Sequence, residues 1–157
     1  MSGLIGGAGS KSGVIGETEI DYEEGTWTPS SLTISGASGS WSLDSAGDYI
    51  AYTKIGRVCF IQGAFEVATM TATAGRFNIL GLPFTSRSSG VDHENNAIFL
   101  VQVTGGNSSN GQTLMAHIGE NSTTLYVQTY NGYDVTNNSA PLLQDGAWIR
   151  INGRYNI

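Results

Sequence analysis

Cationic side chains are scarce in this sequence: seven Lys and Arg stand against thirteen Asp and Glu, for a formal net charge of −6, and the seven never cluster. Sequence-independent affinity for DNA or RNA comes from cations displacing counterions from phosphates, so a phosphate-tracking surface is excluded and nucleic acid is not expected as a partner. Cysteine is rarer still. The single Cys59 rules out an intramolecular disulfide framework and any cysteine-based zinc site within one chain. Its place in an apolar alternation predicts a buried, inert thiol. Long hydrophobic runs are missing as well: the first residues carry one lysine and no apolar stretch of the kind a secretory signal needs, and no later segment approaches a membrane span. Membrane insertion is not expected, and delivery outside a cell would need lysis or assembly into a larger particle.

The familiar catalytic signatures are equally absent. There is no Gly-x-x-x-x-Gly-Lys-Ser/Thr loop, no His-Glu-x-x-His, no Gly-x-Ser-x-Gly and no calcium-loop spacing. His93 sits in the loop Asp92-His93-Glu94-Asn95, where adjacent side chains rarely converge on one ion, so a solvated loop is expected. His117 lies in a strand pattern; a half-buried strand histidine is the simpler reading, a three-fold site shared with symmetry mates the other. Five of the thirteen acidic residues, Glu17, Glu19, Asp21, Glu23 and Glu24, fall within eight positions. Crowded carboxylates in a linker are a poor way to hold two of them at a set distance around a sugar, so a glycosidase is not read from them. No enzyme, cofactor or metal is expected.

What is present is glycine and strand pattern. Residues 1–16 contain six glycines and almost nothing large, the composition of a flexible linker. Two small apolar pairs, Leu4-Ile5 and Val14-Ile15, flank Lys11 in it. They predict an arm that gains order in a groove of another subunit, with main-chain hydrogen bonds and two apolar plugs. The chain thus divides into an anchoring arm with an acidic collar, 1–25, and a β domain, 26–157; 157 residues suffice for one real core.

Within the body, residues 26–34 read as an edge strand broken by Pro29, and 36–47 as a Ser/Gly loop with Trp41 and Leu43 its only bulky members. Residues 50–55 and 57–67 form the clearest strand pair, with Gly56 between them as a tight turn. Cys59, Ile61, Phe65 and Val67 point one way and Val58, Phe60 and Ala64 the other, which predicts a strand covered on both sides. Residues 97–103, with Ile98 and Leu100 against Phe99 and Val101, read the same way. Further strands are expected at 77–80, 113–118, 124–130 and 148–155, with turns at Asn110-Gly111, Asn131-Gly132, Asp145-Gly146 and Asn152-Gly153. About eight strands so spaced predict an all-β, antiparallel, jelly-roll-like sandwich behind an extended arm.

The run Asp21-Tyr22-Glu23-Glu24-Gly25-Thr26-Trp27-Thr28-Pro29, then Tyr52-Thr53-Lys54-Ile55-Gly56-Arg57-Val58, then Gly81-Leu82-Pro83-Phe84, resembles a module of tailed-bacteriophage virion proteins. Such modules occur at the C-termini of tail fibres and in small structural proteins, marine and cyanobacterial phages included. The leader Gly9-Ser10-Lys11-Ser12-Gly13-Val14-Ile15-Gly16 is similar to their N-terminal attachment segments. The resemblance covers about half the chain. It implies a non-enzymatic virion component, made in the host cytoplasm and mounted on the particle exterior, homotrimeric, and docked by its arm to a capsid, baseplate or fibre protein as a short fibre, spike or capsid decoration (cement) protein. The alternative is a receptor- or glycan-binding fibre tip.

Two residue sets follow. Tyr22, Trp27 and Pro29 are expected at the domain junction, Trp27 beside Pro29 being a large plate on a stiff strand, suited to closing one end of the body or packing at a subunit boundary. Tyr126, Tyr130 and Tyr133, with Asn131, Asp134, Asn137 and Asn138, are the candidate glycan contact: aromatic plates stack on sugar faces while amides and carboxylates read hydroxyls. The plain alternative is a hairpin with exposed tyrosines.

Overall fold

The computed structural model describes residues 21–29, 31–88, 97–107, 113–130 and 135–157. Leu4, Ile5, Lys11, Val14, Ile15, His93, Asn131, Tyr133 and Asp134 lie outside them. The strands are β1 (Tyr22–Thr26), β2 (Ser31–Ser35), β3 (Trp41–Ile55), β4 (Val58–Met70), β5 (Arg76–Leu80), β6 (Ile98–Thr104), β7 (Thr113–Ile118), β8 (Thr124–Tyr130), β9 (Val135–Thr136) and β10 (Trp148–Asn156), with one 3₁₀ turn at Ala140–Leu142. The boundary expected at residue 25 falls inside β1.

Among the described residues all ten strands belong to one antiparallel sheet, in the order β1-β3-β4-β10-β6-β7-β8-β5-β2, with β9 added beside β8. Hydrogen bonding therefore does not divide the body into the two packed sheets of a sandwich or jelly roll. The sheet instead curls until its far ends approach. Trp41 at the start of β3 shows this: its ring meets Phe65 of β4 at 6.3 Å and Phe77 of β5 at 5.3 Å, and its indole N–H donates to Thr33 O of β2 at 3.3 Å. The long β3 can serve both ends because its register against β4 shifts twice, between Ser42 and Leu43 and between Asp44 and Tyr49. Such irregularities bend a strand and raise its twist. Residues 41–44, expected as loop, are thus strand, while β1 flanks the second half of β3 through Tyr22↔Ile55 to Thr26↔Ala51.

Alternation along each strand sends one set of side chains inside the curl. Cys59, Ile61, Phe65 and Val67 of β4, Phe99 and Val101 of β6, Leu125 and Val127 of β8, Phe77 and Ile79 of β5, and Ile149, Ile151 and Tyr155 of β10 form one buried cluster. Cys59 is fully buried, and burial pushes its thiol pKa up. The β3–β4 hairpin turns at Gly56, whose φ of +56° favours glycine, as expected. Asn152-Gly153 is not a turn. It lies within β10, where Gly153 faces Ile61 and a Cβ would stand 2.3 Å from Phe99 Cδ1; the missing side chain makes room for a core ring.

One end of the curl is closed by residues 81–87. The Tyr155 hydroxyl donates to Phe84 O at 3.0 Å and accepts from Phe84 N at 3.2 Å, and the indole N–H of Trp27 donates to Gly81 O. Trp27 is buried here, against its own chain.

Candidate functional site

With the inner face consumed by the core, the outer face is the part of the sheet left open to contact, and strand order splits it in two. β4 and β6 were expected to be covered on both sides, but a single curled sheet has only one interior. The second set of apolar side chains is consequently at the surface: Ile98 is 68% exposed, Leu100 67% and Phe60 40%. Ile55 and Tyr22 continue the set across β3 and β1. Between them run Arg150, Asn152 and Arg154 of β10, with Arg154 opposite Phe60 and Asn152 opposite Leu100. A shallow groove of about 290 Å³ crosses this half, lined by Ala51, Thr53, Ile55, Phe60, Gln62 and Asn152. Two apolar groups, Ile98 with Leu100 and Phe60 with Ile55 and Tyr22, thus face water on either side of the polar row of β10.

The other half, on β7, β8, β5 and β2, is polar and tightly bonded. Tyr126 sits in mid-strand on β8, with His117 its cross-strand neighbour on β7 and Asn78 its neighbour on β5. The His117 ring tilts against Tyr126 at 5.3 Å, and the Arg76 guanidinium lies over the Tyr126 ring at 4.6 Å from its centroid. Arg76 Nε donates to Asn78 Oδ1 at 3.0 Å and Nη1 to Asn137 Oδ1 at 3.1 Å; Gln128 Nε2 also donates to Asn137 Oδ1, at 2.8 Å. Asn78, 3% exposed, is fixed in turn by donating to Thr33 Oγ1 and Ser35 Oγ. Burial and the neighbouring Arg76 charge lower the pKa of His117, partly offset by a hydrogen bond with Gln128. The imidazole is therefore neutral at pH 7 and offers one donor and one acceptor.

Arg76 thus touches both Tyr126 and Asn137, and Tyr130 lies on the same face of β8, 38% exposed. Asn138 turns away to accept from Gly75 N at 3.0 Å. Sequence reasoning missed Arg76, Asn78 and Gln128. Period-two spacing carried a signal for one of them, since Gln128 shares a face of β8 with Tyr126.

The junction residues are placed separately. Tyr22 is exposed at the sheet edge, its hydroxyl donating to Glu24 Oε2 at 2.6 Å, and Pro29 is half-buried. Gly25 lets the Tyr52 ring lie against the β1 backbone, where its hydroxyl donates to Glu23 Oε1 at 2.7 Å. The Lys54–Asp21 pair, 2.6 Å, joins an exposed carboxylate to a largely covered ammonium that also lies 5.5 Å from the Phe84 ring centroid. Among the described residues no group of three or more His, Cys, Asp or Glu is arranged to hold a metal ion, and no helix is long and apolar enough to cross a membrane.

No family model matches the chain, and no curated protein matches it. Among solved structures it is similar to the Dettilon tailspike protein (gp208), with a TM-score of 0.71 over 86% of this chain at 19% identity. The chain spans about a quarter, 24%, of that protein's length, so the likeness is one of fold: this antiparallel β architecture also occurs as one part of a phage tailspike.

Proposed function

We propose that the chain is a non-enzymatic structural module of a tailed-phage appendage, a short fibre or spike, that self-associates through the apolar half of its outer face. The observation that carries this reading is the exposure of Ile98 and Leu100 to about two-thirds on a mid-sheet strand, in a fold shared with part of a tailspike. A homotrimer would bury Ile98, Leu100 and Phe60 against neighbouring copies, each fully covered side chain gaining roughly 1.5–3 kcal/mol. The residues before β1 would dock the assembly to another virion protein, with the β body projecting from the particle. Sedimentation equilibrium tests the self-association. The full chain is expected at three times the monomer mass, and the Ile98→Ser/Leu100→Ser variant at monomer mass with unchanged circular dichroism. A monomeric wild type, or a variant that keeps the wild-type mass, would sink the proposal.

A second reading, contact with a host-surface glycan, is favoured by the ordered aromatic and amide platform of Tyr126, His117, Gln128 and Asn137 on the polar half of the same face. It is compatible with the first, because assembly would cover the apolar half and leave the platform in solvent.

A further inference from the structure

In a chain of net charge −6, the Arg76 guanidinium is held by neutral groups among the described residues. Arg76 has two neutral amide acceptors, Asn78 Oδ1 and Asn137 Oδ1, and an aromatic ring beneath it. Among the described residues no carboxylate pairs with it. Two of the five guanidinium N–H donors are used by those amides, which leaves three without a partner among the described residues. Fixing an arginine this way removes most of the side-chain entropy that binding would otherwise cost. A positioned, half-buried planar fork is what a carboxylate recognises in two-point fashion.

We propose that this corner of the outer face binds the carboxylate of an acidic sugar, with Arg76 clamping the carboxylate and His117, Gln128 and Asn137 reading the adjacent hydroxyls. The proposal rests on the glycan-contact reading and narrows it to uronic-acid-type residues. The surroundings support a sugar over a bare ion, since neutral hydrogen-bonding groups outnumber charges around the fork and His117, one ring nitrogen of which is engaged with Gln128, keeps the other for a hydroxyl. The net negative charge of the chain opposes indiscriminate adsorption of polyanions, so retention depends on the local fork and not on a long-range field.

The test is an amide-resolved NMR titration of the full ¹⁵N-labelled chain with methyl glucuronide, methyl glucoside and acetate. Methyl glucuronide is expected to shift amides of β5, β8 and Asn137 and to bind about tenfold or more tighter than the glucoside, as a charge-assisted pair implies. Arg76→Gln should bring it down to the glucoside level. Arg76→Lys, which keeps the charge and loses the fork, should fall between, and it carries the test should Arg76→Gln fail to fold. Equal affinity for glucuronide and glucoside at these amides would overturn the carboxylate assignment while leaving the glycan reading in place. Acetate binding as tightly as glucuronide would overturn the sugar assignment. No shift with either sugar would remove the glycan reading and this inference with it.

Discussion

Replacing Gly153 with alanine asks whether β10 really passes that close to a core ring. The added Cβ would stand 2.3 Å from Phe99 Cδ1, 2.8 Å from Cγ and 3.0 Å from Cε1. Carbon atoms prefer about 3.5–4.0 Å, so the ring must withdraw by more than about 1 Å. Phe99 has no accessible surface to withdraw into and packs 6.2 Å from the Tyr155 ring. Overpacking of this kind costs about 1–3 kcal/mol, and the confinement of Phe99 places it at the upper end. Against that, alanine in a strand recovers about 0.4–1 kcal/mol of chain entropy relative to glycine. The clash wins, for a net loss of about 2 kcal/mol, or about 4–8 °C in Tm for a chain of this size. Urea denaturation of Gly153→Ala, Phe99→Leu and the double variant checks the cause as well as the size. With the ring gone, Gly153→Ala should cost nothing further, giving a coupling of at least about 1 kcal/mol. A neutral or stabilising Gly153→Ala, or additive single effects, would refute the close approach.

Two further perturbations probe the layers around the core. Ser139 is fully buried, its Oγ donating to Val127 O at 2.6 Å and accepting from Phe77 N at 3.2 Å; Ser139→Ala strands two buried backbone groups at about 1–3 kcal/mol each, and a loss under about 0.5 kcal/mol by urea denaturation would count against the bridge. His117 has a native pKa below its ordinary value, so the unfolded chain takes up the proton first as pH falls. Stability is therefore lost from the unfolded value near 6.5 down to the lowered native one and levels off below it. Denaturation across about pH 5–8 should show this limb in the difference between wild type and His117→Gln, and superimposable profiles would contradict the half-buried, Arg76-flanked placement.

The parts of the fold legible in the sequence were those decided by neighbours in the chain. The β3–β4 hairpin was readable because Ile50, Cys59, Ile61, Phe65 and Val67 keep strict alternation on either side of a glycine that can adopt positive φ. Residues 41–44 were not, since serine dominates the local composition there and the strand exists because Trp41 finds Phe65, Phe77 and Thr33 far along the chain. Strand number and alternation are the same for two packed sheets and for one curled sheet; what separates them is a long-range approach of β2 to β3 that no local pattern encodes. For the same reason apolar residues on both faces of β4 and β6 suggested double burial, although only one face looks inward. Gly153 was misread as a turn because Asn-Gly carries that meaning wherever positive φ is needed, whereas here the demand is for space. In the candidate site, Tyr126, Tyr130 and Asn137 were legible as aromatics beside amides. Arg76 was not, because an isolated arginine after Gly75 acquires meaning only from partners fifty or more residues away, Tyr126 and Asn137.

The division of the outer face follows from that single interior. Every strand of the sheet presents one set of side chains to water, and β6 shows that solvent-facing positions need not be apolar, since Gln102 continues the outward row begun by Ile98 and Leu100. Three outward positions on one strand with different chemistry point to local demands on that face. The aliphatic pair lies on the side of β10, β4, β3 and β1, whose outer members Phe60, Ile55 and Tyr22 extend it. Across β6 the character changes within one cross-strand step: Ile98 opposes His117 and Leu100 opposes Met115, and beyond them the hydrogen-bonded group around Arg76 begins. A partner seated on the aliphatic side would end at Ile98 and Leu100, leaving His117 and the fork of Arg76 in solvent. The two proposed roles thus share a border one side chain wide, which is why Ile98→Ser/Leu100→Ser should act on mass and Arg76→Gln on ligand, each with little effect on the other.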